Sequence, residues 1–142
     1  MPFLLDTNVV SEMRRPKPHP GVVQWYAARS SSEIFLSAIT IGEIHRGILK
    51  AQATESAKAE ALSSWLTVLE TSFGDAILPV DSAVAKHRAG LRHAFAQRDP
   101  VDLLIAATAR AHGLVVATRN IRDFQGIGIP LFDPFAPPDA TQ

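Results

Sequence analysis

Four short apolar runs punctuate this chain, each closed by an acid or a hydroxyl residue: Phe3-Leu4-Leu5 by Asp6, Ile34-Phe35-Leu36 by Ser37, Ala76-Ile77-Leu78-Pro79-Val80 by Asp81, and Leu114-Val115-Val116-Ala117 by Thr118. Runs this short, bounded by turn and capping residues, read as buried strands. The stretches between them carry helical signals. Residues 9–13 suit a short helix that Arg14-Arg15-Pro16-Lys17-Pro18-His19-Pro20 breaks, and Val22, Val23, Trp25 and Tyr26 suit another. Thr40 and Glu43 have capping-box spacing ahead of a helix over 41–51. Leu62, Trp65, Leu66 and Leu69, at i, i+3, i+4 and i+7, predict an amphipathic helix over 55–72 that folds back on it as a hairpin. Asp81 opens a helix with Val84, Leu91 and Phe95 inward; Asp99-Pro100 starts another, apolar on most sides, which Gly113 ends. Strands alternating with helices define an α/β fold, a central parallel sheet of four to five strands flanked by helices, with the fifth strand at an edge in 127–132.

A chain of 142 residues, 46% of them apolar, is one domain with a core that needs no staple. It holds no cysteine, which excludes disulfides and thiolate-bound metals and suits a reducing, cytoplasmic setting. Its longest apolar stretches fall far short of the roughly 20 residues that span a bilayer, and residues 1–5 lack a leader's basic flank. Neither membrane insertion nor secretion is expected. The 14 basic and 14 acidic side chains cancel, so any positive surface for nucleic acid must be local. The domain is expected over 1–133, with 134–142 a proline-rich tail.

In such a sheet, ligands bind at the carboxyl edge of the strands, and acids collect there. Asp6 follows strand one, Glu43 stands three residues into the helix after strand two, and Asp102 is the third residue of the helix that Asp99 caps; Thr118, Asn120 and Asp123 follow strand four. Capping accounts for Glu43 and Asp102 taken singly. Asp6 is harder to explain that way, because Asn8 is the better cap. Two carboxylates about 5 Å apart repel by roughly 3 kcal/mol at an effective dielectric near 20, whereas a whole domain is stable by only about 5–15 kcal/mol. Three or four together therefore need protons or cations. Oxygen ligands without His or Cys favour Mg2+, with Mn2+ possible, over zinc. A magnesium site in a crevice suits phosphoryl or phosphodiester chemistry, and Arg14, Arg15, Lys17, Arg46, Arg119 and Arg122 are candidate partners for an anionic substrate.

Phe3-Leu4-Leu5-Asp6-Thr7-Asn8-Val9-Val10-Ser11-Glu12 resembles the opening motif of the PIN-domain ribonucleases, and Leu36-Ser37-Ala38-Ile39-Thr40-Ile41-Gly42-Glu43-Ile44 resembles the second. Asp102-Leu103-Leu104-Ile105-Ala106-Ala107-Thr108-Ala109 and Ala117-Thr118-Arg119-Asn120-Ile121-Arg122-Asp123-Phe124 resemble the third and fourth. In order, these motifs span nearly the whole chain, and the likeness is greatest to the VapC and FitB type toxins of bacterial toxin–antitoxin pairs. The resemblance implies a PIN-like three-layer fold and a Mg2+-dependent endoribonuclease that hydrolyses RNA with metal-activated water and is silenced by a cognate antitoxin. It implies Asp6, Glu43 and Asp102 as metal ligands and Asp6, Glu43, Asp102 and Asp123 as the catalytic acids. Thr7, Asn8, Thr118, Arg119 and Asn120 become substrate-binding or supporting residues. Asn120 stands where some relatives carry an acid, which leaves Asp123 as its substitute. A homodimer and an antitoxin groove near the paired helices are implied as well; Trp65, Leu66 and Leu69 are candidates to line that groove, with packing of their own core the first explanation for them.

Rival classes fit less well. A haloacid-dehalogenase-type phosphatase needs an acid where Asn8 stands, and a receiver domain needs an acidic pair near strand one and a phosphoacceptor acid where Pro79 and Val80 stand. The serious alternative is a catalytically silent binding module of the same fold. The five histidines are scattered without metalloprotease spacing, and phosphate-loop and nucleophile-elbow motifs are missing.

Overall fold

Alternate residues of a strand face opposite sides of the sheet, and here both sides are apolar. β1 (Phe3–Leu5) sends Phe3 and Leu5 one way and Leu4 the other; β2 (Ile34–Ser37) divides Ile34 and Leu36 from Phe35; β4 (Val115–Ala117) divides Val115 and Ala117 from Val116. With β3 (Ile77–Leu78) and β5 (Leu131–Phe132) they form an all-parallel sheet in the order β3-β2-β1-β4-β5, Phe3 being in register with both Ile34 and Val115. The computed structural model describes residues 1–137; the rest of the proline-rich tail, 138–142, lies outside the described residues.

Helices cover both faces. α1 (Thr7–Arg14), α2 (Pro20–Ala27), α3 (Ala38–Thr54) and α4 (Ser56–Phe73) bury Val9, Val10, Val22, Ile44, Ile48 and Leu66 on the Phe3 side. α5 (Ser82–Ala94) and α6 (Pro100–His112) bury Val84, Leu91, Leu103 and Ala106 on the Leu4 side. The α3/α4 and α5/α6 pairs are hairpins. Gly113 ends α6 at φ 66°, a left-handed conformation that a Cβ disfavours. No helix among the described residues is long and apolar enough to cross a membrane.

The sequence reading of two helix starts needs correction. α3 begins at Ala38, not near 41, because Ser37 is its N-cap: Ile39 N donates to Ser37 Oγ at 3.1 Å. Thr40 is therefore fully buried in the first turn instead of capping, and Glu43 lies in the second turn, not at the third position. Likewise Asp6, not Asn8, caps α1, its Oδ1 accepting from Thr7 N at 2.9 Å. Ser37 is itself the last residue of β2 and Asp6 directly follows β1, so in both cases strand passes to helix without an intervening loop. Residues 134–137 carry no helix or strand, yet Phe135 packs against the core.

Candidate active site

β1 is the switch point of the sheet: β2 lies on one side of it and β4 on the other, so a crevice opens beyond the carboxyl ends of β1 and β4. Asp6 and Thr118 form its two walls. The sheet is extended by Asp6 N donating to Ala117 O at 2.9 Å. Thr118 Oγ1 donates to Asp6 Oδ2 at 2.8 Å, and Asn8 Nδ2 lies 3.3 Å from both Asp6 Oδ2 and Thr118 Oγ1. Asn120 N donates to Thr118 Oγ1 at 3.0 Å and Arg119 N to Asn8 Oδ1 at 3.2 Å. Residues 110 positions apart are thus locked into one polar lattice, with Thr118 fully buried and Asp6 only 8% exposed.

Burial is the main reason the Asp6 carboxyl is held above its ordinary 3.8; the hydrogen bonds from Thr118, Thr7 and Asn8 oppose this and the charge of Asp123 adds to it. Asp102, partly buried at the head of α6, is pushed up to about 7, first by burial, then by Asp99, Asp6 and Asp123, against the pull of Arg98. Asp6, Asp102 and Asp123 therefore share one electrostatic neighbourhood. Asp99 joins it while capping α6, its Oδ1 accepting from Val101 N at 2.8 Å and Asp102 N at 3.1 Å. Glu43 is half-buried on α3, a helix that packs against α1 and α6, but it is not among the charges that perturb Asp6 or Asp102. Among the described residues, no three acids or histidines converge closely enough to enclose a metal ion alone. The carboxylate oxygens that do interact suit a hard dication that keeps several of its waters, and their mutual repulsion is what such an ion relieves.

Of the six candidate cations, Arg15 pairs with Glu12 at 3.3 Å and Arg14 lies over the Trp65 ring. Arg119 stacks on Phe135, 4.8 Å from the ring centroid, on the residue next to Thr118. Arg46, Arg122 and Lys17 are exposed. Sequence reasoning missed two side chains. Arg98 donates to Asp123 O at 2.8 Å and Gln125 O at 2.5 Å, fixing the loop that carries Asp123. Glu12, buried at 6% exposure, accepts from His19 N at 2.8 Å and from Arg15, holding the segment between α1 and α2. The signal for Glu12 is visible in retrospect: Pro16, Pro18 and Pro20 lack an N–H, so few donors remain there to anchor the chain.

Thr118→Val, nearly isosteric, removes the donor to Asp6 without reshaping the wall. The Asp6 carboxyl should then titrate higher still, because a hydrogen bond that lowers it is lost, and carboxyl-carbon NMR can follow the change. An unmoved Asp6 titration would show that the 2.8 Å contact has no energetic weight.

These features define a three-layer α/β domain with an acidic crevice at the switch point of its sheet. The sequence profile of the PIN domain matches residues 3–129, and the chain belongs to the PIN-domain family. It is 37% identical over 140 residues to the protein named Toxin FitB from Neisseria gonorrhoeae, covering 94% of this chain and 98% of that one. It is 33% identical over 139 residues to VapC ribonuclease Y4jK from Sinorhizobium fredii, covering 95% and 99%. The crystal structure of FitAcB from Neisseria gonorrhoeae superposes with a TM-score of 0.84 at 35% identity, over 95% of this chain and 99% of that one.

Proposed function

We propose that this protein is a Mg2+-dependent endoribonuclease, the toxin of a toxin–antitoxin pair, whose domain occupies residues 1–133. The observation that carries the reading is the lattice in which Thr118 and Asn8 aim the buried Asp6 into a crevice shared with Asp102 and Asp123. A structural domain has no need to hold these acids together against their repulsion. Relatives named as a toxin and as a ribonuclease, matched over nearly their full length, support the same reading.

Asp6 and Asp102 would hold Mg2+, or Mn2+ in its place, with Glu43 completing the set through one of the waters such an ion keeps. The bound dication supplies positive charge for the phosphodiester oxygens and for an attacking water. Thr118 and Asn8 keep Asp6 in one orientation; Thr7 and Asn120 contribute backbone N–H groups to the same lattice. Asp123, exposed beside these acids, stands in for the acid absent at Asn120 and is placed to accept a proton from water. Arg119, held over Phe135, meets the phosphate backbone. A cognate antitoxin, a homodimer and a cytoplasmic setting complete the proposal.

Induced expression of wild type and of Asp6→Asn, with total RNA resolved on a gel, tests it. Growth arrest with discrete RNA cuts is expected for wild type alone. Arrest by both variants without cutting would mark a binding module instead of an enzyme.

A further inference from the structure

We propose that α5 is the track along which the sugar–phosphate backbone of the RNA substrate leaves the acidic crevice, a proposal that rests on the ribonuclease reading. In a chain of zero net charge, residues 82–98 carry Lys86, Arg88, Arg92 and Arg98, two histidines and no acid, leaving ten basic against 14 acidic side chains elsewhere. Helix energetics do not call for this pattern. Arg92 and His93 lie in the last turn, where cations favour the helix dipole, but Lys86 and Arg88 lie in the first half, where they do not. Arg88 and Arg92 are also a like-charge i, i+4 pair, which weakens a helix.

Nor are the charges of Lys86, Arg88 and Arg92 paired inside the protein. Among the described residues, the Lys and Arg side chains in ion pairs are Arg15, with Glu12, and Arg29, with Glu33. Lys86 and Arg92 are exposed, and the buried Arg88 Nε has no hydrogen-bond partner. The strip is also aimed. Because α5 and α6 form a hairpin, the end of α5 that carries Arg92 adjoins the head of α6, where Asp99 and Asp102 lie. Arg98, between the two helices, donates to the carbonyls of Asp123 and Gln125 at the rim. A polyanion lying in the crevice meets Arg98 first, then Arg92 and Arg88 on one side of a helix about 20 Å long. An acidic protein would be drawn to the same charges, but only the nucleic acid continues from the crevice itself.

The test measures binding of a labelled single-stranded RNA to the full chain carrying Asp102→Asn, with and without Lys86→Gln/Arg92→Gln, across a salt series. Both added changes are at exposed positions, so folding is not at stake; Arg88→Gln is then added as a third. Lys86 lies about 120° around the helix from Arg92, so the double variant should lose one phosphate contact, binding about threefold more weakly with a slope of log affinity against log salt reduced by about 0.7, and adding Arg88→Gln should bring the reduction to about 1.4. With Asp102 intact, KM for long RNA should rise at unchanged kcat, while a dinucleotide confined to the crevice is cut as before. Normal cleavage of long RNA together with an unchanged salt slope overturns the proposal, as does equal loss on the dinucleotide. Unchanged RNA binding with weakened antitoxin binding overturns it in favour of a protein-docking face. If no RNA is cut by any form yet the slope falls as stated, the track stands and the nuclease reading fails.

Discussion

Asp102→Asn should lower Mg2+-supported RNA cleavage by at least about 100-fold, because even the groups that merely support a metal ligand are worth about 10–100-fold. Asparagine keeps the shape of the side chain but not its charge, and charge is what the crevice lends to a dication. The fold should survive. The cap of α6 is made by Asp99, whose Oδ1 accepts from the backbone N–H groups of Val101 and Asp102, and neither bond uses the Asp102 side chain. Loss of an acid from the first turn costs about 0.3–1 kcal/mol through the helix dipole, less than the repulsion relieved by removing one carboxylate from beside Asp99, Asp6 and Asp123. The measurement is the initial cleavage rate of purified variant and wild type on one RNA, with the far-UV circular dichroism of both. A variant that cuts within a few-fold of wild type would remove Asp102 from the chemistry. Asp99→Asn, by contrast, should cost much less activity, since Asp99 influences Asp102 through space.

The layers of this fold were legible because they follow from local rules. Short, continuous apolar runs separated by helical ones leave little choice but a parallel sheet with two covered faces, and Asp81, Asp99 and Gly113 mark helix ends where the chain places them. Helix starts after β1 and β2 were misread for one physical reason. The cap can be the last residue of a strand, as Ser37 is, or the one directly after it, as Asp6 is, and Thr40 and Asn8, which carry the more familiar capping signals, then lie inside the helix. The site was legible as a set of acids at one edge, since Asp6 and Asp102 each sit at a position fixed by the topology. What the sequence does not reveal is which acids feel one another. That depends on side-chain geometry across α3, α6 and the loop after β4, and it joins Asp99 and Asp123 to Asp6 and Asp102 while leaving Glu43 out of that group. Arg98 was invisible for the same reason, because its partners are backbone carbonyls 25 and 27 residues away.

In chelator, this protein should become more stable as the pH falls from 8 towards 5, the reverse of ordinary acid denaturation. Asp102 has an ordinary value of 3.8 and stands at about 7 in the folded chain, and Asp6 is raised as well. A carboxyl with a raised folded value binds its proton more tightly folded than unfolded, so the penalty grows as pH rises between the two values and is complete above the higher one. For Asp102 that window runs from 3.8 to about 7. Taken at face value the shift amounts to about 4 kcal/mol, and about 2 kcal/mol once solvent screening of a half-exposed group is allowed for. About two thirds of that window lies above pH 5, so the change between pH 8 and 5 should move the melting temperature by roughly 3–5 °C. From pH 4.5 downward an opposing effect sets in: the carboxyls of Glu12 and Glu33 are held below their ordinary 4.5, mainly by the backbone N–H groups of His19 and Ser30, so the stability they contribute is lost as pH drops through those lower values. Melting curves at half-unit steps should therefore peak between about pH 4 and 5. Asp102→Asn should melt higher than wild type at pH 8 and change less between pH 8 and 5, and saturating Mg2+ should flatten the wild-type curve by stabilising the ionised crevice. A wild-type melting temperature that falls steadily from pH 8 to 5 in chelator would mean that burial and neighbouring carboxylates do not hold Asp6 and Asp102 above their ordinary value in the folded chain.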